Sequence, residues 1–201
     1  MKIVLALLVS YLLGAIPFAY IAGRTKGKDI RKYGSGNMGT TNAFRVLGKG
    51  LGTLVFLGDF CKGALAAQVG LMVGGATLGP WLAIITGILS LLGHSWNPFF
   101  GFRPTGKGVA SGAGVIMRLM PVPTIITLIA FALVTSISGY VSLGSVIGAI
   151  FAVITAILLQ DEKPYMIFTL FGAALVIYRH RENIKRIRAG MEPKIGRKSD
   201  M

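Results

Sequence analysis

Residues 3–22 read IVLALLVSYLLGAIPFAYIA and contain no charged side chain. A helix that crosses the hydrocarbon layer of a membrane needs about 20 mostly apolar residues. Because this run is too long for the apolar core of a signal peptide and lacks a small-residue cleavage site, it predicts a first transmembrane helix. The 201 residues are 53% hydrophobic and only 14% charged, whereas soluble domains carry roughly 25% charged residues. The sequence therefore predicts an all-α integral membrane protein.

Six further apolar runs follow the first. They predict spans near residues 53–73, 78–95, 108–120, 123–139, 142–159 and 164–180. A turn is expected at Pro121-Val122-Pro123, because proline disrupts helix interiors. Seven spans use most of the chain, so residues 1–201 are predicted to form one polytopic membrane domain. The single cysteine, Cys61, excludes an internal disulfide.

Positive charge is distributed unevenly between the two sides of the predicted bundle. Seventeen of the 21 Lys and Arg residues lie after the first, third and seventh spans, whereas Lys2, Arg118 and Lys163 lie on the other side. Because Lys and Arg accumulate in cytoplasmic loops, the N-terminus is predicted outside and the C-terminus in the cytoplasm. The net charge of +14 then suits the membrane surface and anionic small molecules. No aromatic-interleaved basic surface is present, so nucleic acid is not expected as a partner.

This orientation places every polar segment on the cytoplasmic side. These segments are 34–45, 93–108, 136–145 and 178–188, followed by a basic tail at 189–201. Because they share one side of the membrane, they can contribute to one site.

The first polar segment, 34–45, reads GSGNMGTTNAFR. Glycines let the backbone approach a ligand closely, and successive N–H groups in such a loop can form an anion-binding nest. Arg45 adds a planar cation suited to phosphate. Taken alone, a Gly-rich stretch is also typical of a flexible linker. The candidate substrate-binding residues are Ser35, Gly36, Asn37, Met38, Gly39, Thr40, Thr41 and Asn42.

The second polar segment, 93–108, reads GHSWNPFFGFRPTGKG. Its end matches the Gly-x4-Gly-Lys start of a Walker A loop, but Gly108 stands where Ser or Thr must bind magnesium, and no strand precedes it. A nucleoside triphosphatase is therefore excluded. Gly106, Lys107 and Gly108 lie at a predicted helix start, where N–H groups and the helix dipole favour an anion. A charge that merely flanks the membrane is the alternative for Lys107.

Three other ionisable residues have two interpretations each. One large class of membrane acyltransferases orients a catalytic histidine with an aspartate five positions later. Five positions after His94 this chain has Phe99, so that class is excluded. A structural role is the simpler interpretation of His94. Asp59 and Lys62 share one face of the second span. They form either a structural ion pair or a support for a site, because ionisable groups inside membranes are costly.

The third polar segment, 178–188, reads YRHRENIKRIR and is predicted to continue the last helix. The helical period places His180 and Asn183 toward the protein body and most charges outward. The alternative is an interfacial helix with a satisfied histidine. Ser142, at the end of segment 136–145, either packs helices closely or donates to a phosphate.

These ordered motifs resemble those of the bacterial acyl-phosphate:glycerol-3-phosphate acyltransferase (PlsY) family. The resemblance covers nearly the whole chain, with Thr105 where the family commonly has glycine. It implies transfer of a fatty acyl group from acyl phosphate to the 1-hydroxyl of glycerol 3-phosphate. The implied products are lysophosphatidate and phosphate, made for phospholipid synthesis at the cytoplasmic face of a bacterial inner membrane. Acyl-CoA and acyl carrier protein are not expected as direct donors.

The resemblance also implies roles for individual residues. The expected catalytic residues are Ser35, Arg45, Lys107, His180 and Asn183. Ser35, the Gly36–Gly39 backbone and Ser142 would hold acyl phosphate, while Arg45 and Lys107 would bind phosphate and the developing oxyanion. His180 and Asn183 would orient the glycerol hydroxyls, and the proton acceptor is either His180 or a phosphate oxygen.

The sequence also bears on cofactors, metals and alternative functions. No cofactor is expected, and two histidines and seven carboxylates scattered along the chain predict no metal site. A small anion transporter and a lipid-binding scaffold are the alternatives. Polar motifs on one face favour chemistry over transport, because transporters place polar or broken helices near the midplane of the bilayer.

Overall fold

The computed structural model describes residues 1–159 and 162–195 and is predominantly helical. Part of the predicted basic tail, residues 196–201, lies outside the described residues. The helices are α1 (Lys2–Ala15), α2 (Phe18–Arg24), α3 (Thr40–Ser95), α4 (Val109–Leu119), α5 (Pro121–Ser138), α6 (Val141–Leu158), α7 (Lys163–Arg179) and α8 (Arg181–Arg188). A hairpin of β1 (Trp96–Asn97) and β2 (Arg103–Pro104) and two 3₁₀ turns, Ile30–Lys32 and Pro98–Phe100, complete the description. The chain divides into two compact units, Met1–Arg118 and Leu119–Met201.

The first apolar run is a bent pair of helices rather than one helix. α1 and α2 meet at Ile16 and Pro17, and their axes differ by 42°. Proline has no N–H to donate to the helical ladder, so the ladder is interrupted there. The bend places the carbonyl of Ile16 where a side chain from another helix can reach it.

Helix α3 is interrupted by two glycines. Gly48 (φ 84°, ψ 178°) and Gly75 (φ 60°, ψ −156°) both have a backbone conformation that L-residues avoid. The helical segments on either side of Gly75 coincide with the predicted spans 53–73 and 78–95. The chain therefore turns back at Gly75 without a separate loop.

Small residues bring the helices of the first unit together. A Cβ added to Gly14 of α1 would overlap the carbonyl oxygen of Ser90 in α3, and one added to Gly114 of α4 would overlap the carbonyl oxygen of Phe60. Glycines at such positions let helix backbones approach closely. These contacts pack α1 and α4 directly against α3 in the first unit.

The second unit begins with a helical hairpin of α5 and α6. Helix α5 starts at Pro121, so the turn predicted at residues 121–123 is wrong; both prolines lie in the first helical turn, where a missing N–H costs no helical hydrogen bond. Gly139 (φ 76°) ends α5 in a left-handed conformation. A Cβ on Gly144 would overlap the Thr135 hydroxyl, so α5 and α6 are closely packed.

Every predicted apolar run coincides with one helix, with the bent α1–α2 pair or with half of α3, which confirms the helical class. Among the described residues, α3, α5 and α6 have the length and hydropathy to cross a membrane, and the bent α1–α2 pair is a fourth if it counts as one span. Large apolar side chains lie exposed along the helices, as Val4 and Ile137 illustrate. Such exposure suits contact with lipid rather than with water.

Candidate active site

The first polar motif is part loop and part helix. Residues 34–39 form the loop, with positive φ at Gly34 and Gly36, and α3 begins at Thr40. The loop expected over 34–45 is therefore wrong for 40–45, where the polar residues form the first turns of a helix. The first turn of a helix leaves N–H groups without helical acceptors and carries the positive end of the helix dipole. Arg45 lies one turn further along α3 and is half-buried.

Asn42 organises this loop from the inside. Its side chain is only 2% exposed. Its Oδ1 accepts a hydrogen bond from the backbone N–H of Ser35 (3.0 Å), and its Nδ2 donates to the carbonyl oxygens of Tyr33 (3.1 Å) and Ile30 (3.4 Å). The amide of Asn42 therefore holds the chain on which exposed Ser35 lies. This role was not expected from the sequence, where Asn42 was grouped with the substrate-binding residues.

The first and second motifs are joined by backbone hydrogen bonds within the first unit. The N–H of Met38 donates to the carbonyl oxygen of Thr105 at 2.9 Å, and the N–H of Thr105 donates to the carbonyl oxygen of Ser95 at 3.0 Å. Beside them, Asn37 Oδ1 accepts from the N–H of Gly39 at 2.8 Å. Two segments that are about 60 positions apart in the sequence thus share one face of this unit.

The second motif leaves α3, forms the β1–β2 hairpin and enters α4. Asn97 caps the 3₁₀ turn by accepting from the N–H of Phe99 at 2.9 Å, and its Nδ2 donates to the carbonyl oxygen of Ala15 at 2.5 Å. Lys107 is half-buried and stands two residues before α4, which begins at Val109 after Gly108 (φ 77°). The predicted lysine at a helix start is confirmed.

In the second unit, His180 lies at the junction of α7 and α8 and is 3% exposed. The predicted continuous helix is therefore interrupted at this residue, while its inward direction is confirmed. His180 Nδ1 is 2.7 Å from the carbonyl oxygen of Val176. Because a carbonyl oxygen only accepts, Nδ1 carries a proton, and in the neutral imidazole the accepting nitrogen is Nε2. That tautomer can accept a hydrogen bond from a hydroxyl.

Glu192 is the residue that the sequence analysis missed. Its Oε1 accepts from Ser142 Oγ (2.8 Å) and Asn183 Nδ2 (2.5 Å), and its Oε2 accepts from Arg186 Nε (2.8 Å). Burial raises the pKa of the Glu192 carboxyl, but hydrogen bonds from Asn183, Ser142 and Arg186 outweigh burial and hold the pKa below its ordinary value. The carboxylate therefore stays ionised and connects residues of the third motif to Ser142.

The tail around Glu192 packs on the turn between α5 and α6. The N–H of Ile195 donates to the carbonyl oxygen of Gly139 at 2.8 Å, and Lys194 Nζ lies 5.2 Å from the centroid of the Tyr140 ring. In sequence, the available signal was a lone carboxylate among basic residues, in a segment that looked like a solvated tail.

The residues expected in one site therefore form two groups. The first unit holds Ser35, Arg45 and Lys107 on or beside its two joined motifs, and the second unit holds Ser142, His180 and Asn183 around Glu192.

Comparison with known proteins places this chain in a family. A family model described as glycerol-3-phosphate acyltransferase matches residues 4–190. The chain belongs to the glycerol-3-phosphate acyltransferase family. A relative of that name from Syntrophomonas wolfei is 44% identical over 190 residues, which covers 94% of this chain and 95% of the relative. Another, from Synechococcus elongatus, is 41% identical over 204 residues, which covers 98% of this chain and 97% of the relative.

Two solved structures of this family resemble the model over nearly its whole length. One is a crystal structure of PlsY, an integral membrane glycerol 3-phosphate acyltransferase, in its glycerol 3-phosphate form; the TM-score is 0.91 at 36% identity, covering 98% of this chain and 96% of that one. The other is the lysophosphatidic acid form of PlsY, with a TM-score of 0.89 at 35% identity. The membrane class and the family predicted from the sequence are thereby confirmed.

Proposed function

We propose that this protein transfers a fatty acyl group to the 1-hydroxyl of glycerol 3-phosphate and so makes lysophosphatidate. Membership of the glycerol-3-phosphate acyltransferase family supports this acceptor and product. The observation that carries the chemistry is the joining of two cationic, glycine-rich motifs by the Met38–Thr105 hydrogen bond. That arrangement places Arg45 and Lys107 on one unit, each near the start of a helix.

The donor we propose is acyl phosphate. The hydroxyl oxygen of glycerol 3-phosphate attacks the acyl carbonyl carbon, the bond from that carbon to the phosphate oxygen breaks, and the hydroxyl proton passes to a base. Inorganic phosphate leaves. Because the mixed anhydride is already activated, no covalent Ser or Cys intermediate is required. Positioning of the substrates and stabilisation of charge can supply most of the rate acceleration.

In the first unit we assign phosphate and oxyanion binding to Arg45 and Lys107. Ser35 and the backbone of 36–39 hold the donor phosphate, helped by the dipole at the start of α3. Gly106 and Gly108 allow close approach of the backbone beside Lys107, while Asn42 acts through the loop that it holds.

In the second unit we assign the acceptor hydroxyls to His180 and Asn183. Ser142 donates its single proton to Glu192 Oε1 in this structure, so we assign it a phosphate contact only when a bound substrate replaces Glu192 as its acceptor. The Nδ1 proton on His180 supports Nε2 as the acceptor for a glycerol hydroxyl. The final proton acceptor is then His180 or a phosphate oxygen of a substrate.

We also propose seven spans in a bacterial inner membrane, with the N-terminus outside and both motif groups facing the cytoplasm. Loop charge and the helix positions support this topology. In a Cys61→Ser background, Lys2→Cys and Ala189→Cys variants should differ in spheroplasts treated with an impermeant maleimide. Labelling is expected at residue 2 and not at residue 189, and the reverse pattern would overturn the orientation.

The reaction is tested with purified protein in detergent, acyl phosphate and glycerol 3-phosphate. Phosphate release and lysophosphatidate formation are expected in equal amounts, with no product when acyl-CoA replaces acyl phosphate. Turnover with acyl-CoA but not with acyl phosphate would overturn the proposed donor. Absence of turnover with either donor would overturn the proposed acyltransferase function. A transporter would need two compartments, which detergent removes.

The proposed cations are tested with matched controls. Arg45→Ala and Lys107→Ala should each reduce kcat/KM by about 100-fold or more, because each removes a charge-assisted contact to phosphate or oxyanion. Exposed Lys49 and Arg103 lie close by in the sequence; Lys49→Ala and Arg103→Ala should retain near-normal turnover. Near-normal turnover in both Arg45→Ala and Lys107→Ala would contradict the assignment of these residues to phosphate and oxyanion binding.

A further inference from the structure

Buried charge in the first unit lies outside the residues assigned above. Asp59 Oδ1 and Lys62 Nζ, one turn apart in α3, are 2.7 Å apart, and both side chains are 2% exposed. A buried ion pair is weak evidence for stability, because well-packed apolar residues often replace one without loss. Stability alone therefore does not explain why a charged pair is buried at this position.

The pair contacts two other segments of the same unit. Lys62 Nζ donates to the carbonyl oxygen of Ile16 at 3.0 Å, at the break between α1 and α2. His94 Nδ1, at the end of α3, is 3.6 Å from the same Asp59 Oδ1 and is 7% exposed. One carboxylate oxygen thus faces a cation one turn away in α3 and an imidazole at the C-terminal end of α3.

His94 contacts the segment that carries Lys107. Thr105 Oγ1 donates to the carbonyl oxygen of His94 at 2.6 Å. A Cβ added to Gly106 would overlap His94 Nε2, so the imidazole packs directly on the backbone of that glycine. His94 therefore contacts both residues that immediately precede Lys107, Thr105 and Gly106.

A small cavity joins the ion pair to both motifs. Its volume is about 10 Å³, room for about one water molecule. Asp59, Lys62 and His94 line it together with Met38 of the first motif and Thr105 of the second. The buried charges are thus next to the Met38–Thr105 hydrogen bond that joins the motifs.

From these contacts we propose that Asp59, Lys62 and His94 form a positioning cluster that fixes the backbone at Thr105–Gly106 and so the position of Lys107. The proposal rests on the proposed function in so far as Lys107 binds a substrate phosphate. Lys62 anchors the carboxylate to the helix break at Ile16, the carboxylate orients the imidazole, and the imidazole supports the glycine beside Lys107.

The test separates positioning from stability. Asp59→Asn alone leaves a buried ammonium without its counter-charge, whereas the double variant Asp59→Asn/Lys62→Met removes both charges. The double variant should regain a Tm near the wild-type value while its kcat/KM stays about 10- to 100-fold low, since a displacement of 1 Å costs about 100-fold in rate. His94→Gln, which leaves the ion pair in place, should likewise keep a Tm near the wild-type value and lose about 10- to 100-fold in kcat/KM. The control Gln68→Leu removes another polar contact of α3, the acceptor for Arg118 Nε, and should keep wild-type kcat/KM.

A second readout does not depend on catalysis. The rate at which an amine-reactive reagent labels Lys107, followed by mass spectrometry, should change several-fold in the double variant and in His94→Gln, but not in Gln68→Leu. This comparison holds even if the wild-type protein has no acyltransferase activity, in which case the proposed function fails on its own. Unchanged labelling of Lys107, or kcat/KM that rises and falls in parallel with Tm across the variants, would overturn the proposal.

Discussion

Replacing Glu192 with glutamine is expected to lower kcat/KM for glycerol 3-phosphate by about 5- to 100-fold. The carboxylate accepts three hydrogen bonds, from Ser142, Asn183 and Arg186. Glutamine has the same shape but only one accepting oxygen, and its NH₂ group must then face at least one of these donors. Two of the donors, Ser142 and Asn183, are assigned to substrate contacts, so their displacement affects binding and turnover directly.

The magnitude follows from the hydrogen bonds that are lost. A hydrogen bond to a charged group contributes about 1.5–3 kcal/mol, and about 1.4 kcal/mol corresponds to tenfold in a rate or binding constant. If glutamine keeps its oxygen toward Ser142 and Asn183, the bond to Arg186 is lost; the opposite orientation loses two bonds. Because the Arg186 side chain is 43% exposed, solvent screens the first loss to about 1 kcal/mol, or about fivefold. The second orientation loses two part-buried bonds and gives a change of about tenfold or more.

The assay is phosphate release in detergent as a function of glycerol 3-phosphate concentration, with Tm measured on the same samples. The matched control is Glu182→Gln, because the Glu182 side chain is 56% exposed and, among the described residues, pairs with exposed Lys185 (3.1 Å) and Arg181 (3.7 Å). Surface pairs of this kind contribute about 0–1 kcal/mol, so this variant should retain wild-type kinetics. Wild-type kcat/KM in Glu192→Gln would refute the reasoning.

The pH dependence of stability gives an independent check on Glu192. The pKa of this carboxyl lies below its ordinary value of 4.5 in the folded protein. A group with a depressed pKa stabilises the folded state above its ordinary pKa, and this contribution is lost as the pH falls through the folded-state pKa. The stability difference between wild type and Glu192→Gln should therefore be constant from about pH 7 to pH 5 and shrink below about pH 4.5. A difference that grows on acidification would contradict the assignment.

Two further predictions concern glycines. Gly114→Ala should lower the free energy of unfolding by about 1–3 kcal/mol, because its Cβ would overlap the carbonyl oxygen of Phe60. Gly172→Ala is the control: no atom lies within 4 Å of its added Cβ, so its Tm should be unchanged or higher. Equal Tm values for the two variants would contradict the packing. Gly106→Ala should raise the KM for a phosphate substrate about tenfold, because its Cβ would overlap His94 Nε2 and displace the backbone beside the assigned phosphate site. Steady-state kinetics test this, and an unchanged KM would argue against a role for that backbone.

Much of the fold could be predicted because a membrane limits the choices. Backbone groups inside a bilayer must be satisfied within the chain, so a long apolar run without charge forms a helix. That logic located helices over residues 3–22 and on both sides of Gly75. It did not locate the 42° bend at Pro17 or the start of α5 at Pro121, because hydropathy does not register where a backbone hydrogen bond is lost.

The site was predictable where chemistry depends on neighbours in sequence. Lys107 between glycines at a helix start is a local pattern, and the structure places it two residues before α4. Asn42 shows the limit, because an asparagine in a polar run suggests a ligand contact, whereas its amide is used by Ser35, Tyr33 and Ile30. Which partner a polar group takes depends on how the chain folds around it.

The sequence alone determined the helical class, the family, and the residue types of three polar motifs. These depend on hydropathy, on charge and on short spacings, which remain the same however the chain folds. Only the tertiary structure decided that Glu192 bonds to Ser142 fifty positions away, and that His94 lies 3.6 Å from Asp59. Such contacts bring distant residues within about 3–4 Å, and the helix packing that brings them there is not encoded in any single stretch of the chain.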